Sequence, residues 1–139
     1  MLVSPAPFDE VKLIEFPRIQ DQRGNLSYFE NNHQIPFSIT RTYCIYDLPG
    51  GAELPGYAYH YSQEVIVALA GSFDVIVSNG KEKKSFTLNR SYYGLYIPAR
   101  IWRHLENFAT NSLACIVTNG NGDDKDLIKN FENLLLENE

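Results

Sequence analysis

Along most of the chain, apolar and polar residues alternate in short runs separated by turn residues, which predicts strands of a sandwich or barrel. The candidate strands are KLIEFP, NLSYFE, TRTYCIYD, EVIVALAG, SFDVIVS, KKSFTLN, YGLYIP, WRHLENF and LACIVTN. Alternation is plainest in SFDVIVS, where a period of two puts Phe73, Val75 and Val77 on one face. DQRGN around Gly24, the proline- and glycine-containing LPGGAELPG, and VSNGKE read as turns and loops. Asn79-Gly80 suits a hairpin turn with positive φ at both central residues. The period changes near the C-terminus, where Leu127, Ile128, Phe131, Leu134 and Leu135 recur at helical spacing with charges between them. A helix is therefore expected over residues 123–138, capped by Asp123 or Asp124, with its stripe packed on the barrel or on a partner subunit.

A chain of 139 residues supports one core of ordinary size, and 44% hydrophobic with 13% aromatic residues is enough to fold unaided. Residues 1–139 are expected to form a single domain, without internal repeats or low-complexity tracts. Twelve Lys and Arg against seventeen Asp and Glu give a net charge of -5, which argues against a general nucleic-acid binder. A small anionic ligand fits this balance if a few arginines converge in one cleft. Cys44 and Cys115 both sit in apolar runs and are expected to be buried free thiols. MLVSPAPFDEVKL lacks the layout of a secretion signal, and the longest apolar runs are far short of a membrane span. The expectation is a cytoplasmic protein with no membrane or nucleic-acid partner.

The chemistry concentrates in LPGYAYHYSQEVIVALAG, Leu54 to Gly71, and in GLYIPARIWRHLEN. Together they resemble the two-part pattern of the cupin superfamily. Its first part reads His-x-His, three residues, Glu, six residues, Gly, and its second ends in Pro, then His, then Asn four residues on. Here the first part becomes Ala58, His60, Glu64 and Gly71, and the second becomes Pro98, Arg103 and Asn107. Ala58 offers no ligand atom and Arg103 is a fixed cation, whereas a divalent ion wants three or four N, O or S ligands. The site is expected to hold no metal and no cofactor.

One subfamily matches more closely. DQRGNL, IPFSITRTYCIYD, PGYAYHYSQEVIVALAGS, YGLYIPARIW and FENL occur in order from about Val11 onward, and with them the chain resembles the dTDP-4-keto-6-deoxyhexose 3,4-ketoisomerases. The resemblance implies an all-β cupin jelly roll with a short C-terminal helix. It also implies a homodimer whose N-terminal strands, within residues 1–35, are exchanged, and a dTDP-linked sugar lying in the barrel. Such an enzyme removes the C3 proton, passes through an enediol(ate) and returns a proton at C4. That work needs a base near neutrality, groups that hold the enolate oxygen, and arginines for the diphosphate. The family's Arg-Gly-aromatic-His-x-His segment is matched by Pro55, Gly56, Tyr57, Ala58, Tyr59 and His60, so its catalytic His falls on Ala58. The family's aromatic-acidic run before the last helix is matched by NGNGDD, without its tyrosines.

The candidate catalytic residues are His60, Glu64, Arg103 and Tyr57, and the candidate substrate contacts are Arg23, Arg41, Tyr43, Tyr59 and Tyr96; of these, the resemblance matches His60, Glu64, Arg103, Arg23 and Arg41 to family positions. His60 oriented by Glu64 is one candidate base; a structural histidine satisfied by Glu64 or backbone is the other reading. Tyr57 or Tyr59 as proton relay would need its pKa shifted by ~2–3 units from ~10. Arg103 inside a barrel must face a ligand or pair with Glu64, since an unpaired buried cation is too costly. His104 should point away from the site and His33 should lie in a surface loop; Tyr96 and Trp102 also fit as core aromatics. Three functions follow: a nucleotide-sugar isomerase with an altered proton-transfer set, a non-catalytic nucleotide-sugar binder acting as accessory or sensor, or a related epimerase-like reaction on a different 4-keto sugar. Losing a general base costs ~10²–10⁴ in rate, which Ala58 makes relevant.

Overall fold

The computed structural model describes residues 8–137. Twelve strands follow in chain order: β1 Lys12–Glu15, β2 Arg18–Asp21, β3 Gly24–Ser27, β4 Arg41–Ile45, β5 Ala58–Tyr59, β6 Glu64–Ala70, β7 Phe73–Ser78, β8 Lys83–Leu88, β9 Tyr93–Ile97, β10 Trp102–Glu106, β11 Leu113–Thr118 and β12 Leu127–Ile128. Helix α1, Phe131–Glu137, closes the chain. Every ladder is antiparallel. A five-stranded sheet, β1-β9-β6-β11-β4, faces a three-stranded sheet, β10-β7-β8, and two short sheets pair β12 with β5 and β2 with β3. This is the jelly-roll layout.

The period-two pattern builds the space between the sheets. Phe73, Val75 and Val77 all turn inward, as the alternation predicts, and meet Ile66, Leu95, Ile97, Leu105 and Ile116. The five-stranded sheet has a second apolar face, where Val65, Val67, Tyr96, Cys115 and Val117 pack under Phe16, Ile35 and Phe37 of the N-terminal segment. β6 is thus covered on both sides, which is why its sequence is a continuous apolar run rather than an alternating one. Gly94 permits that cover: a Cβ there would come within 2.7 Å of Val65 and 3.0 Å of Phe16.

Three local expectations are corrected. The helix does not start near Asp123. Asp123 caps only a short 3₁₀ turn, Asp124–Asp126, and Leu127–Ile128 then pair as a strand with Tyr59 and Ala58. Ile128 reaches the Ala58 cluster this way, and Asn130, accepting from the Glu132 N–H at 2.8 Å, caps the real helix. The VSNGKE hairpin is a four-residue loop between Ser78 and Lys83. Only Gly80 of its Asn-Gly pair takes positive φ, at 96°, while the Asn79 side chain accepts the N–H groups of Lys81 and Glu82. Cys44 is exposed, because it lies on the outward side of edge strand β4; Cys115 is buried as expected. Among the described residues, no helix is long and apolar enough to cross a membrane.

Candidate active site

The site is assembled where β4, β5, β6 and β10 converge at one end of the barrel. The loop before β5 lies along β10, with the Leu54 N–H bonded to the Leu105 carbonyl at 2.9 Å. Tyr57 and Arg103 exchange backbone hydrogen bonds at 3.0 Å each. Gly56 makes this approach possible, since a Cβ would collide with the Trp102 indole. Beyond the strand, the Asp126 carboxylate accepts the Tyr61 N–H at 2.8 Å and the Ser62 hydroxyl, and its carbonyl accepts the His60 N–H at 2.8 Å. β5 is therefore fixed on both sides.

Its alternation decides what faces the barrel. Tyr57 and Tyr59 turn inward, with ring centroids 5.2 Å apart. Ala58 turns the other way and is buried against Ile128 and Leu134. The expected gap at Ala58 is thus not an opening in the site: the two positions spaced one apart that look at Glu64 are both tyrosines.

At the centre lies the Arg103–Glu64 pair, with side chains 3% and 2% exposed. Arg103 Nε donates to Glu64 Oε1 at 2.6 Å and its Nη2 to Oε2 at 3.2 Å. The same Nη2 donates to the Tyr43 hydroxyl at 3.3 Å and to the Tyr57 hydroxyl, and the guanidinium carbon sits 3.7 Å from the Tyr57 ring centroid. The Tyr43 and Tyr57 hydroxyls share a 2.5 Å hydrogen bond, and Tyr57 also donates to Glu64 Oε2 at 3.4 Å. The internal ion pair anticipated for Arg103 is present, and it is one spoke of a wheel of phenols.

Burial sets the protonation states. It pushes the Glu64 carboxyl up and the Arg103 guanidinium down, each toward its neutral form. The bidentate contact holds both charged, because a neutral Glu64 would leave a buried cation alone and an arginine does not give up its proton. Burial, reinforced by the Glu64 charge, raises Tyr43 to about 12 and moves Tyr59 upward still further. Both phenols stay protonated and able to donate. A cavity of about 370 Å³ beside Tyr43 is lined by Tyr43, Ile45, Leu54, Pro55, Tyr57 and Arg103. Apolar walls with a few convergent polar groups suit a small organic ligand.

The other expected residues are distributed differently. Arg41 stands on β4 two residues before Tyr43, its guanidinium carbon 5.3 Å from that ring. Gly122 of the NGNGDD run leaves room for it, since a Cβ there would lie 2.7 Å from Arg41 Nη1. Small residues in place of the family's tyrosines therefore admit an arginine. His60 sits in the bend after β5 with its ring 5.9 Å from that of Tyr61, and the cation on Glu64 is Arg103. Tyr96 is on the opposite face of the five-stranded sheet, its hydroxyl bonded to Gln63 Oε1 at 2.6 Å, so the core reading holds and the substrate contact does not. Arg23 is in the β2–β3 turn, paired with Asp21 at 3.1 Å and with its side chain 90% exposed, apart from the site within one chain. His33 is exposed, and His104 points outward from β10, its Nε2 2.7 Å from Glu106 Oε1. With Glu53, His104 and Glu106 form a cluster of three ligand atoms mutually within 4.8 Å, on the outer face and away from the Arg103 pair.

Reading the sequence named Tyr43, Tyr57 and Tyr59 one by one, and did not show that the hydroxyls of Tyr43 and Tyr57 meet at Arg103. The signal for two of them was present in YAY, two aromatics at strand spacing that end five residues before Glu64.

The chain is similar to several known proteins. A TDP-4-oxo-6-deoxy-α-D-glucose-3,4-oxoisomerase from Aneurinibacillus thermoaerophilus is 33% identical over 124 residues, 89% of each chain. Among solved structures, the WlaRB TDP-quinovose 3,4-ketoisomerase from Campylobacter jejuni superposes with a TM-score of 0.86 at 31% identity, covering 91% of this chain and 98% of the other. A variant of the 3,4-ketoisomerase QdtA from Thermoanaerobacterium thermosaccharolyticum, in complex with TDP-4-keto-6-deoxyglucose, gives 0.89 at 28% identity over 92% and 93%. The family described as FdtA: WxcM-like, C-terminal matches residues 9–138. With fold, relatives and motif order in agreement, the chain belongs to that FdtA/WxcM-like family.

Proposed function

We propose that this protein is a sugar isomerase that moves a keto group between C4 and C3 of a TDP-linked 4-keto-6-deoxyhexose by proton transfer through an enediol(ate). The observation that carries this reading is the buried Arg103–Glu64 pair, bonded to Tyr57 and Tyr43 at the wall of a mostly apolar cavity. Among the described residues, Tyr57 is the one phenol whose hydroxyl meets the guanidinium, a second phenol and the carboxylate together. It is the proton carrier in this reading, in place of His60. Tyr43 and Tyr59, held protonated by burial, donate to the enolate oxygen, and the Arg103 cation balances the charge that develops there. Glu64 fixes the guanidinium so that this stabilisation needs no reorganisation. Arg41 takes the diphosphate at the mouth. No step requires a metal or an organic cofactor.

The test is proton NMR of TDP-4-keto-6-deoxyglucose with the protein in deuterated water. Deuterium at C3 and a new 3-keto sugar are expected, and the rate should collapse in Tyr57→Phe while His60→Ala keeps most of it. Line broadening without exchange would instead make the protein a nucleotide-sugar binder, and retention of full rate in Tyr57→Phe would remove the tyrosine from the mechanism.

The reading includes a homodimer that exchanges the N-terminal strands, in the cytoplasm. Supporting it, hairpin β2–β3 is exposed along its length, with Ile19 58% and Leu26 54% accessible. Exchange would also give exposed Arg23 a second site to serve. Light scattering of the purified protein reads the mass directly.

A further inference from the structure

Strands β4 and β11 pair in a register that sets Cys44 directly opposite Cys115. Directly opposed residues in such a pair have Cβ atoms ~4.5–5.5 Å apart, and a disulfide spans ~3.5–4.5 Å, so a small approach of the strands suffices. That register places the two thiols side by side on one face of the sheet. β4 is the outer strand of its sheet, laddered to β11 alone, and can make that approach. The two sulfurs differ in access: Cys44 is exposed, while Cys115 lies in the apolar layer with Val65, Val67 and Val117. An outer thiol in contact with an inner one is the arrangement of an attacking and a resolving cysteine.

We propose that Cys44 and Cys115 form a redox-modification site that reacts with small disulfides of the glutathione class. The Cys44 thiolate attacks one sulfur of the small disulfide, forming a mixed disulfide and releasing one thiol. Cys115 then gives up its proton, attacks the Cys44 sulfur, forms the intrachain bond and expels the second thiol. Two electrons pass from the cysteine sulfurs to the small disulfide, and the two cysteine protons end on the two released thiols. Burial pushes the Cys115 thiol up to about 11, which fixes Cys44 as the residue that attacks. The bridge would tie to the sheet the strand that carries Arg41 and Tyr43, leaving Glu64 and Arg103 untouched. It is reversed by a thiol reductant.

The experiment is incubation of the reduced protein with glutathione disulfide, followed by intact mass and peptide mapping. The wild type should become lighter by two hydrogens, yield a Cys44–Cys115 bridged peptide, and hold no lasting glutathione. Cys115→Ser should trap a stable glutathione adduct on Cys44, and Cys44→Ser should stay unmodified while folded. A lasting adduct on wild-type Cys44, a Cys44 cross-link between two chains, or no change at all would each overturn the proposal. The wild-type result stands on its own if a variant folds poorly, and it is independent of whether the sugar is isomerised.

Discussion

The Arg103 site and the β2–β3 hairpin use similar residues under opposite conditions. Each contains an arginine paired with a carboxylate two or three bonds from backbone of a strand. Arg103 and Glu64 are 3% and 2% exposed, and every polar atom named around them has a partner. Arg23 and Asp21 meet at 3.1 Å, yet the Arg23 side chain is 90% exposed and both flanking strands are open to solvent. In the first region the barrel decides the charges, the hydrogen bonds and the accessible chemistry. In the second, water screens the pair and the backbone pairing does the holding. The same residue types therefore form a site in one place and a surface in the other, and the difference is desolvation.

Breaking the inner pair should have the largest effect. Glu64→Gln leaves Arg103 buried and unpaired, with an expected loss of about 3–5 kcal/mol in urea denaturation. The matching change at the hairpin, Asp21→Asn, should leave the denaturation midpoint where it is. Tyr57→Phe comes next: it keeps the ring against Arg103, so the fold should hold while kcat falls by ~10²–10⁴, read from deuterium incorporation.

Titration with base sharpens the contrast between inner and outer phenols. Tyr43 is raised by burial from its ordinary 10.0 to about 12, so its contribution to stability is complete below pH 10 and is lost as the pH rises through about 12. Two units correspond to roughly 3 kcal/mol. Ultraviolet difference spectra should show the inner phenols Tyr43 and Tyr59 ionising together with unfolding.

Ala58→His tests which face of β5 matters. A larger residue pressed on Ile128 and Leu134 should cost ~1–3 kcal/mol and add no isomerase activity. A gain in rate would mean that position 58 does reach the ligand. The smallest effect on stability is expected at the hairpin. Ile19→Asp with Leu26→Asp should change the stability of one folded chain by no more than ~0.5 kcal/mol for each substitution, while abolishing the proposed dimer in light scattering.

Much of the barrel was legible because alternation is a local property. Phe73, Val75 and Val77 share a face for the same reason in the sequence and in the structure, and Arg103 and His104 separate onto opposite faces by the same rule. The motif order also carried the family. The C-terminal periodicity misled, since Leu127 and Ile128 sit at helical spacing but find a strand partner in β5. Tertiary pairing outweighs a pattern only five residues deep. Cys44 looked buried from its apolar neighbours, and an edge position that no single run reveals put it outside.

The sequence by itself determined the β-rich class, the order of the strands' inward residues, the mildly acidic composition and the replacement of two cupin histidines by Ala58 and Arg103. Only the tertiary structure decided which residues of PGYAYH face the site. A strand has two faces, and a one-residue difference in phase exchanges them. That phase is set by the Tyr57–Arg103 backbone exchange on one side and the Leu127–Ile128 pairing on the other. Both are long-range contacts, and they turn Tyr57 and Tyr59 inward and Ala58 away.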